Sequence, residues 1–164
     1  MTAIDRRPAR LSSGVAALAG WLAVVTSGFY SWAALALGGV GVVLLWAGLL
    51  RGWRSAVTTG AFGLVLGGVV AGAQHGPVLP VVTSVALAVV AWDVGGTAIS
   101  VGEQLGRDAR TTRIEVVHAA ASLAVGAVTA GVGYAVYRFG TGGQPVAAVA
   151  FLVLGAVLLI AALE

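Results

Sequence analysis

The stretch AWDVGGTAISVGEQLGR, residues 91–107, lies at the end of a long apolar run. The run before it consists almost entirely of Ala, Val, Leu and Gly, yet Asp93 stands inside it. Further along, Glu103, Gln104 and Arg107 stand where the run ends. An apolar run of this length is typical of a helix that crosses a lipid bilayer. The stretch therefore predicts a membrane span that carries one acid at depth.

The composition extends this interpretation to the whole chain. Of the 164 residues, 59% are hydrophobic and 9% are charged, and the mean hydropathy is +1.01. A soluble domain has about 25% charged residues, so this chain has too few charges to cover a water-facing surface. The absence of cysteine excludes disulfides, thiolate metal sites and a cysteine nucleophile.

Six apolar runs follow one another along the chain, and each can cross about 30 Å of hydrocarbon as a helix. Helices are expected because lipid offers no water to unpaired backbone groups, and the alternation of barrel strands is absent. The basic N-terminus followed by an apolar stretch resembles a signal peptide, and we interpret it as the first span. The sequence predicts one all-α transmembrane domain over residues 1–164. Its helices are expected at roughly 11–29, 31–50, 55–73, 79–103, 112–138 and 145–163.

The basic residues predict the orientation of these spans. All nine are Arg, and on six spans eight of them fall on one side of the membrane, with Arg138 alone on the other. The positive-inside rule assigns the arginine-rich side, and with it both termini, to the cytoplasmic face of a plasma membrane. Since these residues lie at membrane borders, they do not form a nucleic-acid-binding patch. The eight are Arg6, Arg7, Arg10, Arg51, Arg54, Arg107, Arg110 and Arg113.

Polar residues at helical spacing mark the hairpin of the fourth and fifth predicted helices. One face of each helix carries several of them, and a hairpin about residue 108 brings the two faces together. Asp93 then lies level with Ser122, and Thr97 lies level with His118. These residues form a predicted intramembrane polar cluster, which comprises Asp93, Thr97, Ser100, His118 and Ser122.

The loop between these two helices has a structural interpretation. Thr112-Arg-Ile-Glu115 fits the S/T-x-x-E capping box that begins a helix, although the hairpin also places Glu115 beside Ser100. The basic residues of the loop are interpreted as determinants of topology, as contacts to anionic lipid heads or as a cytoplasmic docking surface. They are Arg107, Arg110 and Arg113.

Asp93 is the residue that needs an explanation. A charged Asp at the centre of a membrane helix costs on the order of 3 kcal/mol on insertion scales. It is ionised and paired with Arg54 or His118, ionised in a wet cavity, or neutral and hydrogen-bonded to Ser122 or Thr97. In each state it serves either as a structural clamp or as a functional group.

Several kinds of chemistry are not predicted. The chain has no phosphate-binding Gly-Lys-Ser/Thr loop, no G-x-S-x-G motif and no H-E-x-x-H motif, and its loops are too short for a soluble active site. Asp93 and His118 differ by about 7 Å in depth at 1.5 Å per residue, so the sequence implies no metal pair. We expect a protein that is not an enzyme and holds no cofactor and no metal.

The fourth and fifth predicted helices resemble a family of small multi-pass membrane proteins of halophilic archaea with no assigned activity. The resemblance covers about a fifth of the chain, within residues 92–120, and supplies no catalytic residue. It implies an archaeal plasma membrane, and genes beside MoxR-type ATPases, which would imply a role in a membrane complex. The matching residues are Trp92, Asp93, Gly95, 98–107, Thr111, Arg113, Glu115 and 118–120.

Two functions remain after these steps. The first is a non-enzymatic subunit or scaffold of a membrane complex, surrounded by the lipid bilayer and docked through its basic cytoplasmic loop to membrane-protein partners or to copies of itself. The second is a small ion- or proton-coupled carrier or channel that uses Asp93 within the polar faces of the fourth and fifth predicted helices.

Overall fold

The computed structural model describes residues 5–107 and 109–139, and these form five α-helices without a β-strand. All five are long and apolar enough to cross a membrane. They coincide closely with the first five predicted runs, whereas the sixth predicted run, 145–163, lies outside the described residues. The helices are α1 (Arg10–Gly28), α2 (Trp32–Arg51), α3 (Arg54–Ala73), α4 (Val78–Leu105) and α5 (Thr112–Phe139).

Local sequence explains how closely these helices follow one another. Ser31 precedes α2 in an extended conformation, and its hydroxyl accepts a hydrogen bond from the Ala34 amide at 3.0 Å. Gly52 ends α2 in the left-handed conformation, with φ of 72°, which a glycine adopts without steric cost. Trp53 follows, and the Arg51 guanidinium lies 5.2 Å from its ring centroid. The turn from α2 into α3 thus needs only two residues.

Contacts between helix ends show that one end of the bundle collects the basic residues. Arg54, which begins α3, lies 3.2 Å from the Glu103 carboxylate near the end of α4. The amide of Ser12, near the start of α1, donates to the Glu115 carboxylate near the start of α5 at 2.8 Å. We call this the arginine end; it comprises the starts of α1, α3 and α5 and the ends of α2 and α4.

Glycines allow α3 to pack closely against both of its neighbours. A Cβ atom added at Gly60 would lie 2.5 Å from the Leu45 nitrogen and 2.6 Å from the Gly41 oxygen of α2. On the opposite side of α3, a Cβ atom at Gly68 would lie 2.8 Å from Val85 of α4. Small residues at such interfaces let helices approach where lipid provides no hydrophobic drive for association. The glycines of α3 therefore bind it between α2 and α4.

The segment before α1 lies across the end of α4. The Ala9 amide donates to the Ala98 oxygen at 2.9 Å, and the Arg107 amide donates to the Asp5 oxygen at 2.8 Å. Gly102 leaves the space for this crossing, since a Cβ atom there would overlap the backbone of Arg7. The start of the described chain is thereby fastened to the arginine end.

Helix α5 is the least enclosed of the five. Among the described helices it contacts only α4 and α1. Only Glu115 and Ala119 of its residues are buried. The interface between α4 and α5 therefore has an open side, and this is the side on which the polar cluster lies.

Candidate functional site

The polar cluster forms between the middle of α4 and the first half of α5. The Asp93 Oδ2 atom accepts a hydrogen bond from the Ser122 hydroxyl at 2.5 Å and lies 3.1 Å from His118 Nε2. The Thr97 hydroxyl lies 2.9 Å from the same ring nitrogen. Two of the pairs expected from the hairpin, Asp93 with Ser122 and Thr97 with His118, are therefore in contact.

The contact between Asp93 and His118 is one of the pairings considered for Asp93, although helical rise alone separates the two residues by about 7 Å in depth. In the structure His118 Nε2 nevertheless lies 3.1 Å from Asp93 Oδ2. Within the described residues no group of three His, Asp or Glu side chains lies close enough to hold a metal ion. The pair is thus a carboxylate and an imidazole held together by hydrogen-bonding side chains.

Ser100 lies apart from this cluster. Its hydroxyl accepts a hydrogen bond from Arg54 Nη2 at 2.7 Å and donates one to the Gly96 oxygen at 3.1 Å. Arg54 also lies 3.2 Å from the Glu103 carboxylate, so its guanidinium is engaged at the arginine end and does not touch Asp93. Of the two ionic partners considered for Asp93, His118 is the one in contact.

Asp93 is not sealed by its partners. The exposed fraction of the Asp93 side chain is 46% and that of His118 is 36%. Both side-chain contacts of the carboxylate fall on Oδ2, and Oδ1 finds no partner among residues 5–107 and 109–139. A carboxylate oxygen without a partner at this depth is costly in hydrocarbon, since lipid supplies no hydrogen bond.

Asp93 borders a small cavity with polar walls between α3 and α4. We call this cavity of about 310 Å³ the polar cleft. It runs from the arginine end towards the middle of α4, and Asp93 lies about 18 Å from the end of α4 at 1.5 Å per residue. Its lining is Arg54, Val57, Thr58, Trp92, Asp93, Gly96, Thr97 and Ser100.

A second and larger cavity meets Asp93 from the other side, between α4 and α5. We call this cavity of about 630 Å³ the apolar groove, because most of its walls are Val and Ala side chains. Val89 and Val125, which line it, are 48% and 66% exposed, so the groove is open along its length. Asp93, His118 and Ser122 form its polar end.

Glu115 lies outside the polar cluster, in a buried site at the arginine end. Its Oε2 atom accepts hydrogen bonds from the amide and the hydroxyl of Ser12 at 2.8 and 2.9 Å. Its Oε1 atom accepts one from the Thr111 hydroxyl at 2.7 Å. Thr112 is the first residue of α5 rather than the residue before it, so the helix begins one residue earlier than the expected capping box requires. The carboxylate caps the start of α1 instead.

The three basic residues of the loop have different surroundings. Arg107 is half-buried, and its Nε atom has no hydrogen-bond partner among the described residues. Arg110 and Arg113 are exposed. The loop therefore presents two arginines to the surroundings and keeps the third against the protein.

The model of one protein family, described as a family of unknown function (DUF7519), matches residues 6–160. The chain belongs to this family. The match spans nearly the whole chain and reaches far beyond the residues on which the sequence resemblance is concentrated. No curated protein and no solved structure matches the chain. The family description names no source and no activity, so the archaeal setting stays a prediction, and the function has to be argued from the site.

Proposed function

We propose that this chain is a non-enzymatic, multi-pass protein of the plasma membrane that carries protons or ions, with Asp93 as the coupling residue. The observation that supports the proposal best is the position of the Asp93 carboxylate. It lies near the middle of α4, half-exposed, in contact with His118, and on the walls of two cavities. Ionisable groups inside membrane segments commonly form ion pathways and proton relays.

The cluster has the chemistry that proton exchange requires. His118 Nε2 faces both the Asp93 carboxylate and the Thr97 hydroxyl. When it carries a hydrogen, Nε2 donates to the carboxylate, and when it does not, it accepts from the hydroxyl or from a protonated Asp93. The cluster can therefore gain or lose a proton while each side chain keeps a hydrogen-bonded neighbour.

The polar cleft supplies the route to the arginine end. Thr58 and Ser100 line it between the arginine end and Asp93, and Arg54 lies at its outer part beside Glu103. A cleft with hydroxyl walls admits water, which carries protons through hydrogen bonds. Among the described residues, the charged or titratable side chains that face Asp93 are His118 of α5 and, across the cleft, Arg54 of α3.

Proton flux into liposomes tests the proposal. Purified protein is reconstituted with a pH-sensitive dye inside, and an inward proton gradient is applied with the membrane potential clamped by potassium and valinomycin. We expect the wild type to dissipate the gradient faster than empty liposomes, Asp93→Asn to remove the difference, and Glu103→Gln to retain it. Flux that is equal in the wild type and in Asp93→Asn would disprove the role of Asp93.

A second function, the docking subunit, is supported by the charge at the arginine end. Arg110 and Arg113 are exposed there, whereas the Glu115 and Glu103 carboxylates are already engaged with Ser12 and Arg54. The surface accordingly suits an acidic cytoplasmic partner, and no nucleic acid is expected.

Co-purification from native membranes tests the docking function. A MoxR-type ATPase, which the sequence resemblance implies, is the first partner to seek, and a second copy of the chain is the next. We expect a stoichiometric partner with the wild type, its loss when Arg107, Arg110 and Arg113 are all changed to Gln, and its retention in Arg138→Gln. Recovery of the chain alone from every sample would count against docking.

A further inference from the structure

We infer that the apolar groove between α4 and α5 binds a lipophilic organic cation, with its charge beside Asp93 and its apolar body along the valines. This inference rests on the proposed role of Asp93 and names the class of molecule that the site accepts. Three features of the groove support it: the charge of its polar end, the character and size of its walls, and its open side.

The charge of the polar end selects a cation. Among the described residues of α4 and α5, Asp93 is the acid at the groove, and its Oδ1 atom has no partner there. Arg54 is engaged by Glu103 and Ser100, so it does not neutralise the carboxylate by contact. A positive charge in the groove would be stabilised in a low dielectric, where charge interactions are far stronger than in water.

No side chain in residues 145–163 can take the place of such a molecule. Every residue in that sequence has an apolar side chain or none. Wherever this segment lies, it offers neither a cation nor a hydrogen-bond donor from a side chain to Asp93. Beyond the contacts of His118 and Ser122 with Oδ2, neither residues 145–163 nor the described residues supply a side-chain partner for the Asp93 Oδ1 atom.

The walls of the groove select an apolar body. The volume of about 630 Å³ falls within the range of about 300–1,000 Å³ that small organic ligands occupy. Trp92 lies at the polar end and also lines the polar cleft, so its ring can contribute a cation–π contact. Because the groove is open along α5, a ligand that partitions into the bilayer reaches Asp93 without passing through the bundle.

The apolar groove and the polar cleft meet at the Asp93 carboxylate, so a proton and an organic cation would share a single site. A proton reaches Asp93 through the polar cleft, and a cation reaches it through the apolar groove. Because both would occupy the same carboxylate, binding of the cation and binding of the proton exclude each other.

Tetraphenylphosphonium provides the test, since tetraphenylborate has the same shape and the opposite charge. Binding is measured by equilibrium dialysis with the protein in lipid nanodiscs, and empty nanodiscs report partition into lipid. We expect saturable binding of tetraphenylphosphonium that Asp93→Asn weakens by about tenfold or more. Saturable binding of tetraphenylborate with equal affinity, or the absence of any saturable binding, would overturn the inference.

Two valines of α5 provide a matched pair that separates the groove from the rest of the helix surface. Val125 lines the groove and Val128 does not, and they are 66% and 65% exposed. Val125→Trp fills the groove, so we expect binding to weaken by about tenfold, whereas Val128→Trp leaves it within about twofold. Equal effects of the two substitutions would contradict binding in the groove.

Two further outcomes separate this inference from the proposed function. Proton flux that depends on Asp93 without saturable cation binding would overturn the cation site and leave the proton role standing. Saturable cation binding without Asp93-dependent proton flux would support the cation site and overturn the proton role. The chain has no cysteine, so a disulfide between two copies of Val125→Cys in the membrane would show that a second copy covers the groove, and the inference would fail.

Discussion

Glu115 shows how a single carboxylate joins helices that are far apart in the chain. Helix α1 begins after Ala9, which provides no side-chain hydrogen bond to the free amides of the first turn. Glu115 of α5 supplies the missing acceptor, since its Oε2 atom receives the amide and the hydroxyl of Ser12. A negative charge is favoured at the positive end of a helix, where amides lack partners within the helix. The capping contact therefore fastens α5 to α1.

We expect Glu115→Ala to lower the free energy of unfolding by about 2–3 kcal/mol, because it leaves the amide and the hydroxyl of Ser12 without their charged acceptor. Glu115→Gln, which keeps one acceptor oxygen, should cost less. Unfolding of the purified protein in mixed micelles by a denaturing detergent measures these differences.

Glu103 provides the control, since its ion pair with Arg54 is exposed. Its side chain is 52% exposed, and an exposed pair contributes about 0–1 kcal/mol. Glu103→Gln is accordingly expected to change the free energy of unfolding by about 1 kcal/mol or less. Equal losses from Glu103→Gln and Glu115→Ala would show that Glu115 is no more than a surface charge.

The partners of the individual polar residues were predictable from the sequence only in part. Helical spacing placed Asp93 level with Ser122 and Thr97 level with His118, because a hairpin fixes relative depth. It did not place Ser100 beside Arg54 or Glu115 beside Ser12. Those contacts involve α1 and α3, and the spacing within one hairpin has no information on which other helices lie beside it.

The close packing of α2 against α3 depends on glycines, which have no side chain to separate the two backbones. At Gly60 the backbone of α2 comes so near that a methyl group has no room. The same holds at Gly41, where a Cβ atom would lie 2.7 Å from the Gly60 oxygen. The clash would be with backbone rather than with the flexible end of a side chain, so the two helices would have to move apart.

We expect Gly60→Ala to lower the free energy of unfolding by about 1–3 kcal/mol, because it overpacks the interface of α2 and α3. Gly39→Ala is the matched control in α2, since a Cβ atom there meets nothing within 4 Å. That control should leave stability unchanged or raise it slightly, because alanine favours the helix. Denaturing-detergent titration of both variants is the measurement, and equal stability would contradict the close packing.

Length and composition predict that α5 is a helix but do not predict which helices it packs against. Its 28 residues were expected as a span from their apolar character, and the structure describes such a helix. Its position at the edge, against α4 and α1, follows from the Ser12–Glu115 and Asp93–Ser122 contacts instead. An apolar helix matches lipid and protein equally well in composition, so periodicity alone does not identify its neighbours.

The described part of the chain has one end rich in charged side chains and an opposite end with few of them. Five helix termini meet at the arginine end, and Arg138 near the end of α5 lies at the opposite end. The positive-inside rule predicts that the arginine end faces the cytoplasm. The polar cleft would then open towards the cytoplasmic side.

Cysteine labelling measures this orientation directly, since the chain contains no cysteine of its own. Ala109, in the loop at the arginine end, and Gln74, in the turn after α3, are both exposed. We expect a membrane-impermeant maleimide to label Gln74→Cys in intact cells and Ala109→Cys only after permeabilisation. Labelling of Ala109→Cys alone in intact cells would establish the opposite orientation.

Sequence alone was enough to predict apolar helices long enough to cross a membrane, their bounds over the described residues to within a few positions, and the place of Asp93 inside one of them. These properties depend on local hydrophobicity. Bilayer thickness sets the length of an apolar run that can cross, and the lack of water in lipid requires the run to be helical. Tertiary structure alone decided that Asp93 stands where the polar cleft and the apolar groove meet, and that Glu115 caps a distant helix. Such contacts depend on which helices lie side by side, and in lipid that choice follows from close packing between backbones rather than from hydrophobicity.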